Sequence, residues 1–200
     1  MRRQTLLHRG SLFSKVAGWS GALTLVAALG VWGLPSGPVA SAAATPACTT
    51  SNLVVWLNTT GSGAAGSSYY RVNFTNLSAH SCTLYGYPGI SSVSQSGIQL
   101  GLAAGRDAAH VASTITLTSA RSASGLEKST SHNTATAILQ ITVAENFPIS
   151  ACAAITAAGL RVYPPGQKES SVIPFPFVAC AKSGPRFLHV EAVQRYVATQ

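Results

Sequence analysis

Carboxylates are scarce in this chain: among 200 residues the only Asp and Glu are Asp107, Glu127, Glu145, Glu169 and Glu191. A glycosidase needs two carboxylates facing one bond, and five dispersed acids leave few pairs able to do so. Nucleophile signatures are missing as well. No Gly-x-Ser-x-Gly elbow occurs, and none of Lys128, Lys168 or Lys182 has a serine three residues before it. No Cys-x-x-Cys pair and no His-x-x-x-His spacing occur, which weakens redox and zinc readings. His80, His110, His132 and His189 are scattered and read as exposed or partly packed side chains. Lys and Arg never stand three in a row, whereas nucleic-acid binders concentrate them along one face. The expectation is a protein with no catalytic residues, no cofactor, no metal and no nucleic-acid partner.

What is present begins with a leader. Arg2, Arg3, Arg9 and Lys15 precede an apolar run over 16–34, and Pro35, Gly37 and Pro38 lead into VASAAATPA. A positive start, an apolar middle and small residues at alternate positions make a secretory signal peptide, expected over 1–42 with cleavage after Ala42 or Ala44. The competing reading is an uncleaved anchor, since a bilayer span takes roughly 20 residues; Gly18, Ser20, Gly21, Thr24 and Gly30 dilute that run. A lipid anchor on Cys48 fits poorly, because Thr45-Pro46-Ala47 lacks the aliphatic residue such a site needs. The formal charge of +8 belongs partly to the leader. It holds four of the 13 bases and none of the acids, so residues 43–200 carry +4.

The remaining chain suits one domain, 43–200, of a size able to bury its own core. Its pattern is β throughout. Strands are expected at 52–57, 68–75, 82–85, 90–94, 98–102, 110–118, 135–143, 159–163, 172–178 and 187–193. Residues 68–75 alternate, with Tyr70, Val72 and Phe74 on one face and Arg71, Asn73 and Thr75 on the other, as successive strand side chains must. Pro88-Gly89 and Ser96-Gly97 read as turns, with glycine accepting positive φ. Pro174 and Pro176 confine their strand to an edge or a bulge. Residues 151–158 suggest a helical turn or two, and 119–133 a loop. Short strands about ten residues apart point to an all-β fold, a single immunoglobulin-like or Greek-key β-sandwich of about eight or nine strands.

The segment TTGSGAAGSS at 59–68 invites a phosphate-cradle reading. A P-loop needs a lysine and a following helix; here the glycines run into a strand, so a flexible hairpin loop is expected. Asn58, Asn73 and Asn76 each begin a glycosylation sequon, read as chance in a Ser/Thr-rich surface. Trp56, Tyr70, Phe74, Tyr85 and Tyr163 are expected in the core. Tyr69, Tyr87, Phe175 and Phe177 are the alternative candidates for a ligand-stacking patch, with core or corner packing the favoured reading.

At 69–90 the chain reads YYRVNFTNLSAHSCTLYGYPGI and at 160–166 LRVYPPG, with Cys152 and Cys180 on either side of the latter. Together these resemble the actinobacterial exported family called domain of unknown function 4232, over about 48–193. There a glycine- and alanine-rich loop leads into a strand ending Thr-Asn-x-Ser, followed by a cysteine and Gly-Tyr-Pro-Gly. The resemblance implies an exported, two-disulfide, β-sandwich-like domain, free or lipid-anchored, and supplies no activity. Ser119-Ala120 departs from the Pro-Gly that relatives tend to carry.

Cys48, Cys82, Cys152 and Cys180 all follow the leader, and four cysteines allow three connectivities. Pairing Cys48 with Cys82 and Cys152 with Cys180 is expected, because each bridge then joins strands close in sequence without crossing the other. The functional expectation is an exported, non-catalytic cell-envelope or secreted module. It would act as a monomer, outside the membrane once cleaved, and bind an envelope protein, peptide or glycan through its loops. The ligand-binding residues stay unassigned at this level. The alternatives are a purely structural envelope domain, which a featureless polar surface would favour, and a cryptic hydrolase, which a cleft joining a histidine to a carboxylate would favour.

Overall fold

The computed structural model describes residues 43–120 and 132–197. The leader, with its cleavage and anchor alternatives, and most of the 119–133 loop lie outside the described residues.

Strand β1 (Leu53–Ala64) turns back at Ala65-Gly66, both with positive φ, into β2 (Ser67–Asn76). Central residues with positive φ match the right-handed twist of a hairpin. The expected glycine-rich loop at 59–68 is therefore strand for most of its length. Pairing with β2 along Ser62↔Tyr69, Gly63↔Ser68 and Ala64↔Ser67 overrides the weak strand preference of glycine and alanine. After β2 come β3 (Cys82–Tyr85), β4 (Gly89–Val93) and the short β5 (Gln99–Leu100) and β6 (Gly105–Asp107). Strand β7 (Thr114–Leu117) precedes β8 (Thr134–Thr142), and β9 (Ala154–Tyr163) and β10 (Ser171–Cys180) form a second long hairpin. The chain then adds β11 (Leu188–Glu191) and β12 (Gln194–Arg195).

Twelve strands form among the described residues, more than the eight or nine expected. The strands with no expected counterpart, Gly105–Asp107 and Gln194–Arg195, are too short to leave a periodic trace. Ala154–Tyr163 corrects a second expectation: the helical turn is confined to Ile149–Cys152, and the alanines after it are strand. The positive φ near the Tyr-Pro-Gly corner belongs to Gly86, whereas Gly89 already opens β4.

The fold is all-β, in three sheets. Sheet I has the order β1-β2-β8-β11-β6, with β12 pairing β8 beyond the end of β11. Sheet II runs β10-β9-β4-β5, and β3 pairs β7 in a separate two-stranded ribbon. Among the described residues the strands pair antiparallel except β11 with β6, and an isolated parallel bridge joins Ala47 to Thr83. Val72, Phe74, Leu139, Leu188 and Val190 from sheet I share one buried cluster with Ile90, Leu160, Val162 and Ile173 from sheet II, while Leu84, Ile115 and Leu117 bring the ribbon into it. Phe74 and Val72 stand beside Ala135 and Ala137, so large and small side chains alternate across the β2–β8 ladder.

Two disulfides close the structure, Cys48–Cys82 and Cys152–Cys180, the pairing expected from order along the chain. Disulfides persist in oxidising compartments, so the bridges point to an extracytoplasmic setting. Among the described residues no helix is long and apolar enough to cross a membrane.

Strand β10 ends sheet II, and its prolines sit where the register slips: Phe175 and Pro176 together face Ala158 alone. Both halves of the edge-or-bulge expectation hold. Opposite Pro174, Gly159 approaches the neighbouring strand so closely that a Cβ would lie 2.2 Å from the Ile173 carbonyl oxygen. Backbone cannot yield as a side-chain tip can. Gly159→Ala should cost about 1–3 kcal/mol, the range for overpacking a core, read as a lower urea midpoint. An unchanged midpoint would show that the hairpin shifts freely.

Candidate functional site

The outer face of sheet I is built by the same alternation that sends Val72 and Phe74 inward. Tyr69, Arg71, Asn73 and Thr75 project the other way, beside Gln140, Ile138, Thr136 and Thr134 of β8. The face has two halves.

Around Asn73 and Thr75 it is closed. Trp56 Nε1 donates to Thr75 Oγ1 at 3.0 Å, the hydroxyls of Thr75 and Thr134 lie 3.0 Å apart, and Thr136 Oγ1 donates to Asn73 Oδ1 at 2.7 Å. Asn73, Thr134 and Thr136 are almost fully buried, although alternation alone makes this the wet face. The cover comes from the far end of the chain. Gln194 pairs with Thr136, and the Tyr196 ring reaches back over β2 to lie 6.5 Å from Trp56. Buried polar groups need partners, and the ladder supplies them.

The other half is open. Between Asn58↔Arg71 and Ser62↔Tyr69, three residues of β1 stand opposite Tyr70 alone. Such a bulge kinks its strand. Beside it lies a cavity of about 800 Å³ lined by Asn58, Thr60, Ser62, Tyr69, Arg71 and Ile138, among others. At Gly61 a Cβ would fall 2.7 Å from the Tyr70 ring, so any side chain here displaces that ring. A second cavity, about 270 Å³, shares Arg71 and Ile138 and adds His110, Glu191 and Gln194. Arg71 therefore lies at the junction of the two. It is half-buried, and its guanidinium has no hydrogen bond or ion pair among the described residues.

In the smaller cavity His110 Nδ1 lies 2.9 Å from Glu191 Oε2, and Gln194 Nε2 donates to the same oxygen at 2.9 Å. This is a histidine joined to a carboxylate in a cleft, between residues too far apart in sequence to leave a motif. The only hydroxyl lining that cavity belongs to Thr136, and it is already donated to Asn73. His189 keeps a buried Nδ1 without a partner. Among the described residues no three His, Cys, Asp or Glu side chains cluster as a metal site would require.

Packing, rather than a ligand-stacking patch, is the fate of most of Tyr69, Tyr87, Phe175 and Phe177, and the patch does not assemble. Phe175 packs edge-on against Tyr70 and beside Phe177 along the core. Tyr87 lies under Arg106, 5.5 Å from its guanidinium carbon, and only Tyr69 lines the large cavity. Tyr85, expected in the core, is 64% exposed: β3 is half-buried, and Tyr85 falls on its outer side. Asn73 and Asn76 are wholly buried, which removes two of the three sequons as acceptors. What the pattern did hold was Arg71, at an outward position of the alternating strand. Its lack of a partner depends on β1 and β8 and has no local signal.

A family model described as "Domain of unknown function (DUF4232)" matches residues 48–194. No curated protein and no solved structure matched the chain.

Proposed function

From the premise that this chain belongs to the DUF4232 family, we propose that it is an exported, non-catalytic module that binds an envelope partner on the outer face of sheet I. The observation that carries this reading is the large open cavity with a half-buried arginine at its edge that has no partner among the described residues. Arginine buries its stem and keeps its head group toward water, so Arg71 presents a cation with no partner among the described residues at the mouth of the groove, where an anionic ligand can pair with it. Binding is thereby assigned to a sheet face rather than to the loops. The leader-like first 42 residues and the two disulfides support export.

The His110–Glu191 pair favours a second reading, a hydrolase. A general base needs a nucleophile or a positioned water within reach, and the one side-chain hydroxyl in that cavity is engaged elsewhere. Binding is the better account.

The test is retention of cell-wall material by the purified protein, compared with Thr60→Trp, which places a large ring in the groove from an exposed position. The wild type should retain material that the variant releases. Equal retention by both would remove the site. A screen of esters, glycosides and peptides should stay at the buffer rate, and turnover lost in His110→Ala would establish the hydrolase instead.

A further inference from the structure

We propose that Arg71 is a carboxylate-binding residue and that the ligand of the groove is an acidic saccharide, one acid group per Arg71. The inference rests on the reading that the open half of this face is the binding site.

Arginine presents a planar fork of donors that matches a carboxylate two bonds at a time. The Arg71 backbone is held on both sides, paired with Asn58 of β1 and Ile138 of β8, so a head group at this point is placed by the sheet and not by a loop. Among the described residues no carboxylate pairs with its guanidinium. The carboxylate in the adjoining cavity, Glu191, stands beyond β8, and one of its oxygens already takes both His110 and Gln194. The cavity on that side is the smaller one and carries the Glu191 carboxylate, which repels an anion, so a ligand lies toward β1.

The class of ligand follows from what lines that side. Asn58, Thr60, Ser62 and Tyr69 supply one amide and three hydroxyls, groups that exchange hydrogen bonds with sugar hydroxyls. A peptide docks on a sheet chiefly by adding a strand to a free edge. The free edge here is the outer margin of β1, whereas Arg71 stands one strand in, its backbone already paired to β1 and β8. The volume, about 800 Å³, falls within the range of about 300–1,000 Å³ usual for ligand sites.

The experiment is a calorimetric titration of the purified protein with trigalacturonate, its methyl ester and an acidic hexapeptide of glutamates. These are repeated on Arg71→Gln and Arg71→Lys, with thermal unfolding to confirm that both variants fold. Trigalacturonate should bind, and the ester should bind at least tenfold more weakly. Arg71→Gln should lose at least tenfold and Arg71→Lys should recover part of it, since lysine keeps the charge without the fork. Binding of the ester as tight as that of the acid overturns the proposal, as do binding unaffected by Arg71→Gln and no binding of trigalacturonate. Binding of the hexapeptide in place of the saccharide overturns the ligand class. If Arg71→Gln keeps its hold on wall material while Thr60→Trp loses it, the groove stands as the site and the carboxylate subsite falls.

Discussion

Replacing Cys152 and Cys180 together by alanine should lower the unfolding free energy by about 3.5–4 kcal/mol, and replacing Cys48 and Cys82 should cost a similar amount. The bridges span 28 and 34 residues, and the chain-entropy relation makes the cost nearly insensitive to that difference. Each bridge lies beside backbone bonds that it steadies. Lys182 N–H donates to the Cys152 carbonyl and Ala181 N–H to that of Ala153, while Cys48 N–H donates to the Thr83 carbonyl. The four sulfur-bearing residues are buried, so alanine also leaves small voids. Domains of this kind are stable by about 5–15 kcal/mol in total, which makes either loss a large fraction. Urea unfolding of the two double variants measures it. Midpoints equal to the wild type would mean that the bridges decorate a fold already fixed by its core.

Asn76→Asp should be comparably severe, at about 3–5 kcal/mol, the cost of an uncompensated buried charge. Asn76 is wholly buried at the end of β2. Its Nδ2 donates to the carbonyls of His80 and Thr118 at 2.9 and 3.0 Å, and its Oδ1 accepts from the backbone and hydroxyl of Ser78. Its own carbonyl accepts from Asn133 Nδ2 at 3.3 Å. One amide thus ties the end of β2 to the turn before β3 and to the residues around β7 and β8. Aspartate has the same shape but turns both donations into repulsion against carbonyl oxygens. Asn76→Ala, which leaves those partners unmet but adds no charge, should cost less. An aspartate variant as stable as the alanine one would show that water enters the corner.

Asn76 also marks what can and cannot be read along a chain. Asn76-Leu77-Ser78 is legible as a turn, because short polar side chains bond their own backbone, and the Ser78–Asn76 bonds do so. The reach to Thr118 and Asn133 is not legible, since it crosses dozens of residues. Alternation over 68–75 correctly placed Val72 and Phe74 inside and Arg71 outside. It misjudged Asn73, whose cover is a segment more than a hundred residues away. Glycines at 61 and 63 suggested a loop and alanines at 154–158 a helix because intrinsic preference is all that a local window contains; β2 and β10 decide both cases by pairing. The cysteine pairing was accessible because both bridges are short-range. Of the candidate site, Arg71 was visible as an outward residue. The bulge opposite Tyr70 and the meeting of His110 with Glu191 exist only once the strands are assembled.

The two prolines of β10 bear on how many copies can live side by side. A strand that ends a sheet offers its outer row of N–H and C=O groups to any passing chain, and proline has no N–H to offer. With Pro174 and Pro176 in the middle of the strand and a register slip between them, a second molecule cannot zip along this margin for more than a few residues. This margin of sheet II is thereby guarded against growing from molecule to molecule into fibres, a safeguard that gains value wherever the protein is crowded.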